Sequence, residues 1–196
     1  MKKSEGKIKV AVPFIIFCLV VISSMFLIKY DLESAGESYL YLYNYRTYLP
    51  QEKIGINVNT YQIKKAAFSL YRVKDIQKLI EIDTDNNDIN TAVSKLDYKY
   101  MEKIKTWEEK FKADQWDYRD IKIDGLDGGF YVLEADYGKK VVIPVIVTSL
   151  AILTKQDNEK LIVYIVGRKT GKPINNAEVS IKDYSGKNKE IIKGKT

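Results

Sequence analysis

The sequence predicts a mainly β protein: one N-terminal transmembrane helix, then an antiparallel β-sandwich carrying an inserted long amphipathic helix, then the start of a second β-sandwich. Three observations predict it. Residues 10–28 carry no charge, and only Ser23 and Ser24 are clearly polar. Residues 38–73 and 129–181 contain short runs in which apolar and polar side chains alternate between Gly, Pro and Asn turns, the period of half-buried strands. Between them Ile89, Val93, Leu96, Tyr100, Ile104, Trp107 and Phe111 recur in steps of three and four, the period of a helix with one apolar face.

As a helix, the nineteen residues from Val10 to Ile28 rise about 28 Å, close to the roughly 30 Å thickness of bilayer hydrocarbon. Pro13 falls in the first turn, where its missing N–H costs little. Lys2, Lys3, Lys7 and Lys9 precede the segment, and Lys29, Asp31 and Glu33 follow it. The positive-inside rule therefore makes 1–9 a cytoplasmic tail and 29–37 an external linker, and it exports the body. This predicts a single-pass cell-membrane protein. A cleaved signal peptide is the alternative; its only small-residue site, Ser34-Ala35-Gly36, lies well beyond the apolar core. Cys18 is a poor lipid acceptor, because bulky Phe17 precedes it and the apolar run continues past it.

The formal charge of +6 sits at the ends. Residues 1–9 and 182–196 each carry +3, which leaves 10–181 neutral. A neutral body argues against a phosphate-tracking groove and hence against nucleic acid as a partner. The chain has no histidine, and its one cysteine, Cys18, lies in the apolar segment. That excludes Ser-His and Cys-His catalysis and the commonest zinc ligands. The protein is expected not to be an enzyme, with no catalytic, cofactor-binding or metal-binding residue and no cofactor.

In chain order, 38–49 (SYLYLYNYRTYL) reads as a strand stopped at Pro50, with Tyr39, Tyr41, Tyr43 and Tyr45 on one face. Lys53–Thr60 reads as a strand with Ile54, Ile56 and Val58 inward. Ala66–Val73 reads as a third, with Phe68, Leu70 and Arg72 opposite Ala67, Ser69, Tyr71 and Val73. A helical insertion is expected over 75–116, its helix running from about 89 to 112, capped by Asp88, with Glu102 and Glu109 in solvent-facing pairs. The four tyrosines are expected to pack on that helix. After the glycines of 125–129 come a strand over 130–135, a Tyr137-Gly138 turn and the run Lys140–Thr154, too long for one ordinary strand. The economical reading ends one strand near Thr148 and begins the second domain there, with Pro144 on an edge or bulge. Strands at 161–166 and 177–181 follow, around a turn at 169–173.

Two candidate chemistries fail on spacing. Asp83, Asp85 and Asn87 match the first ligands of a calcium loop, but Asp88 stands where Gly is required and Ser94 where Glu is. The glycine-rich 125–129 precedes a strand, whereas phosphate loops open a helix. Glu134 and Asp136 are expected on an exposed strand face, without a partner pocket.

Tyr48-Leu-Pro-Gln-Glu-Lys53, INVNTYQIKKAAFSLYRV after it, Gly129-Phe-Tyr-Val-Leu-Glu-Ala135, VIVTSLAILTK (145–155) and VYIVGRKTGKPINNAEVSI (163–181) resemble bacterial alpha-2-macroglobulin-like proteins. The likeness covers roughly 38–73 and 129–186. It implies a first macroglobulin-like β-sandwich over 38–148 and an incomplete second macroglobulin-like domain over 149–196, since a sandwich takes about 100 residues. On this reading the chain is an N-terminal fragment of a protein that traps proteases, without the reactive Cys-Gln thioester. The resemblance implies a non-enzymatic, membrane-tethered extracytoplasmic scaffold whose partners are the membrane, proteases or another envelope protein chain. The alternative is a membrane-anchored sensor or adhesion ectodomain that binds a protein or glycan through Tyr39, Tyr41, Tyr43 and Tyr45.

Overall fold

The structure, a computed structural model, describes residues 37–82, 88–157, 160–182 and 191–196. The expected tail and transmembrane segment (1–28) and the Asp83, Asp85 and Asn87 positions lie outside the described residues. Among those described, no helix is long and apolar enough to cross a membrane.

Alternating apolar residues build two facing sheets. One is three-stranded, β1 (Tyr39–Tyr43), β2 (Ile54–Tyr61) and β5 (Asp117–Ile123), in the order β1-β2-β5. The other has β4 (Met101–Lys110), β3 (Lys65–Val73), β6 (Gly129–Asp136) and β7 (Lys140–Val147), in that spatial order. All the ladder pairings within these two sheets are antiparallel. Between the sheets lies the main core. Ile54, Ile56 and Val58 meet Phe68, Leu70, Leu133 and Val145 there, with Phe68 stacked on Trp107 at 5.5 Å. Thus the inward faces of β2 and β3 are those the alternation predicts.

The long helix is not formed. The expected insertion, 75–116, holds two short helices, α1 (Ile76–Glu81) and α2 (Ile89–Lys95), a 3₁₀ turn at Tyr98–Tyr100, and β4. Asp88 caps α2 as expected, accepting from the N–H groups of Asn90 and Thr91 at 3.1 Å. The helix then ends because Leu96 turns extended and Asp97 caps the next turn, accepting from the Lys99 N–H at 2.9 Å. From Met101 onward, pairing with β3 overrides helical propensity. Phe68 faces Trp107, the Ser69 and Thr106 hydroxyls meet at 3.2 Å, and Lys65 reaches Glu108 at 3.1 Å. A register shift there sets Lys103 opposite Tyr71 and Lys105 opposite Leu70, so Ile104 is the extra residue. The bulge reverses the alternation: Met101 packs with the helices while Trp107 packs on the sandwich core. That broken alternation, laid over fortuitous steps of three and four, is why the segment reads as helix. Glu109, expected in a solvent pair, accepts from the Trp107 indole N–H at 3.0 Å.

The short helices still cover a sheet. Leu79, Ala92, Val93 and Leu96 pack on Tyr71, Val73 and Val132, the outer face of β3 and β6. The central strands β3 and β6 are therefore buried on both sides, which explains why Ala66, Phe68, Leu70 and Tyr71 are all buried. On β7, an edge strand, Pro144 turns its carbonyl outward to the Asn44 side chain at 3.0 Å. Its missing N–H lies on that same outward side, so it removes no ladder bond. The first strand is shorter than expected: at Asn44 the chain leaves β1 and crosses to β7, where Tyr48 pairs with Val147.

Beyond Thr148 and Ser149 the chain enters a hairpin, β8 (Leu150–Gln156) with β9 (Leu161–Gly167), the break expected near Thr148. Arg168 holds its base, donating from its N–H to Ser149 O at 2.8 Å and from Nη1 to Thr47 Oγ1 at 3.1 Å. The 169–173 turn forms around Gly171 at φ +66°. A further hairpin pairs β10 (Glu178–Lys182) with β11 (Ile191–Lys195). The strand reading did not include β5 or β11.

Two stability predictions arise here. Among the described residues, Thr60 Oγ1 is buried without a hydrogen-bond partner. An unpaired buried hydroxyl costs about 1–3 kcal/mol, so Thr60→Val is expected to raise the urea midpoint. Asp117 is buried, accepts from the Lys112 N–H at 2.9 Å and pairs with Arg119. The Arg119 guanidinium holds its carboxyl below the usual carboxylate range, and the Thr91 hydroxyl and the Lys99 N–H do the same for Asp88 and Asp97. Depressed folded-state values give stability that is present above the unfolded value and lost as pH falls through the folded one. Urea midpoints should therefore drop as pH falls from about 5 towards 2. Asp117→Asn should flatten that slope.

Candidate binding face

Because side chains alternate along a strand, placing Ile54, Ile56 and Val58 inward turns every second residue of β1, β2 and β5 outward. Register sets these outward residues in rows. Tyr39 pairs with Tyr61, Tyr41 with Asn59 and Tyr43 with Asn57. Across β2, Asn59 pairs with Tyr118, Asn57 with Asp120 and Gly55 with Lys122.

The tyrosines expected to pack on a long helix stack instead on one another, and Tyr41, Tyr43 and Tyr45 share a hollow with Ile89 and Asn90 at the start of α2. Their rings lie nearly parallel to one another, 6.2 Å from Tyr39 to Tyr41, 6.3 Å from Tyr41 to Tyr43 and 5.9 Å from Tyr43 to Tyr45. Tyr45 is 81% exposed and Tyr118 65%. A second aromatic run crosses the sheet end: Tyr61 stacks on Trp116 at 5.1 Å, and Trp116 on Tyr118 at 5.8 Å. Between the runs stand Asn57, Asn59 and Asp120. Asp120 accepts from the Asn57 amide and, at 3.3 Å, from Lys122 Nζ. Together they floor a shallow hollow of about 470 Å³ bounded by Tyr43, Tyr45 and Tyr118. The sequence placed the first tyrosine column and missed the rest, because β5 shows little alternation of its own. Trp116, Tyr118, Asp120 and Lys122 at intervals of two were the available signal.

Glu134, expected on an exposed face, is 6% exposed. The α2 end and the 3₁₀ turn cover it, and it accepts from the Tyr98 hydroxyl and, at 3.3 Å, from Lys140 Nζ. Lys140 also donates to Tyr98 at 3.1 Å. The Tyr98 hydroxyl and then the Glu134 carboxylate hold the Lys140 ammonium above its ordinary range, while burial raises the Tyr98 phenol. Asp136, at the end of the strand, accepts from the Gly138 N–H at 2.9 Å. The two carboxylates therefore serve a buried tie and a turn.

Two facing antiparallel sheets with a strand hairpin following directly define a class by architecture, an antiparallel β-sandwich. Two solved structures that this chain resembles are of native alpha-2-macroglobulin from Escherichia coli. One, spanning domains NIE-MG1, has a TM-score of 0.54 at 10% identity, over 82% of this chain and 83% of that one. Another, spanning MG0-NIE-MG1, has a TM-score of 0.56 at 11% identity, over 81% of this chain and 57% of that longer one. At such identities the likeness is one of fold. No protein-family model and no curated protein matches the sequence.

Proposed function

We propose that this chain is a non-enzymatic scaffold, tethered to the cell membrane by residues 10–28 with its body outside the cytoplasm. It is the N-terminal part of an alpha-2-macroglobulin-like protein whose intact assembly traps proteases. The observation that carries the reading is the junction at Thr148. There the sandwich runs into hairpin β8–β9, which is clamped by Arg168 and leaves Ile152 65% exposed, with Leu153 and Tyr164 similarly open. Apolar strand faces of this kind are normally covered by further β structure. The likeness to crystal structures that span consecutive domains supports the same reading.

Trypsin offered to membranes that carry the intact assembly is expected to be retained with it. The purified chain alone is expected to leave trypsin activity unchanged. Inhibition by the chain alone, or no retention by the assembly, contradicts the proposal. A second reading, a membrane-anchored sensor or adhesion ectodomain, is favoured by one observation: Tyr41 and Tyr45 of the tyrosine column are exposed.

A further inference from the structure

We infer that the outer face of sheet β1-β2-β5 binds an extended, uncharged β-linked polysaccharide. The inference rests on the ectodomain reading and names its ligand; it is independent of protease trapping.

Three properties of the face select this chemistry. First, the outward positions of its strands hold aromatic, amide, charged and glycine residues but no aliphatic one. Pyranose rings offer flat C–H faces to aromatic rings and hydroxyl groups to amides and carboxylates, and this surface supplies both kinds of partner. Second, the charges on the face cancel locally, since Asp120 is bonded to Lys122 and Arg119, which also lines the hollow, is paired with Asp117. An uncharged ligand meets no unbalanced charge there, whereas a phosphorylated or polyanionic one would find no basic cluster. Third, the aromatic column is straight, with ring-to-ring steps of 5.9 to 6.3 Å. Those steps are comparable with the length of one sugar unit of an extended chain. Alongside, Asn57, Asn59 and Asp120 line the hollow within reach of the hydroxyl edges. Gly55 keeps this lane low: a Cβ there would come within 3.2 Å of Lys122 Nζ.

The test is calorimetric titration of the full chain in detergent with chitohexaose, cellohexaose and maltohexaose. Chitohexaose and cellohexaose share the β-1,4 linkage and differ in the acetamido group, so they separate the two sources of that chemistry. Maltohexaose, α-linked and coiled, is the shape control. At least one β-linked hexamer should bind saturably, and maltohexaose should not. Tyr41→Ala and Tyr118→Ala, tested separately with circular dichroism to confirm folding, should each weaken binding by about tenfold or more. Acrylamide quenching in a Trp107→Phe background, where Trp116 is the remaining tryptophan, reports whether the face is open.

Binding by neither β-linked hexamer, with Trp116 freely quenched, overturns the polysaccharide inference and leaves the ectodomain reading standing. A shielded Trp116, or self-association through this face, overturns both. Binding that neither tyrosine substitution weakens places the ligand elsewhere and overturns the inference.

Discussion

Phe68→Ala is expected to destabilise the protein by about 3–5 kcal/mol, a large share of the usual total stability of about 5–15 kcal/mol. Phe68 is wholly buried at the centre of β3. Its ring stacks on Trp107 at 5.5 Å and lies 6.4 Å from Phe111, while its backbone pairs with both β4 and β6. Truncation removes the transfer energy of the ring and opens a cavity against strands tied on both sides, which cannot close over it. Urea denaturation followed by circular dichroism measures the loss. A cost below about 1 kcal/mol, the range of well-tolerated swaps, would mean that β3 is not central to the sandwich.

Gly125→Ala is the second large effect. A Cβ at Gly125 would stand 2.6 Å from Gln51 Cα, C and O, all backbone atoms. The two segments are held together there: the Gln51 N–H donates to Leu126 O at 2.9 Å, and Gln51 Nε2 donates to Asp127 at 2.8 Å. Gln51 itself sits at φ +64°, so its turn has little freedom to yield. Replacing glycine also restrains the unfolded chain, a gain of roughly 0.4–1 kcal/mol. Overpacking costs about 1–3 kcal/mol or more, so the net effect is destabilising. A raised melting temperature would mean that the 50–51 turn does not rest on Gly125.

What was legible in the sequence was whatever a two-residue period carries. Ile54, Ile56 and Val58 declare β2, and Pro144 with the length of 140–154 declares an edge strand and a break between strands near Thr148. What was illegible depends on tertiary context. The bulge at Ile104 switches β4 from one core to the other, so its apolar residues satisfy neither template and fall by accident on helical spacing. Glu134 looks like a solvent residue until α2 and Tyr98 close over it. The aromatic face is composite: Tyr41 lies in β1 and Tyr118 in β5, 77 residues later, and only the β1-β2-β5 order makes them neighbours. No local pattern encodes that order.

The two faces of the first sandwich thus serve different ends. The helix-covered face is closed by Val93, Leu96 and the Glu134–Tyr98–Lys140 tie, and it stabilises the body. On the opposite face Tyr41, Tyr45 and Tyr118 are exposed.

Tethering with an exported body is the central claim, and the lone cysteine makes it directly testable. Cys18 lies within the apolar segment, so a Lys169→Cys variant adds one thiol at an exposed turn. Intact cells carrying this variant are treated with a membrane-impermeant maleimide, and their membranes are then washed with alkaline carbonate. The account predicts that Lys169→Cys is labelled before lysis, that the wild type is not, and that the labelled chain stays in the washed membrane with residues 1–28 attached by mass spectrometry. Labelling only after lysis, or release of a labelled chain beginning near residue 36, would contradict it.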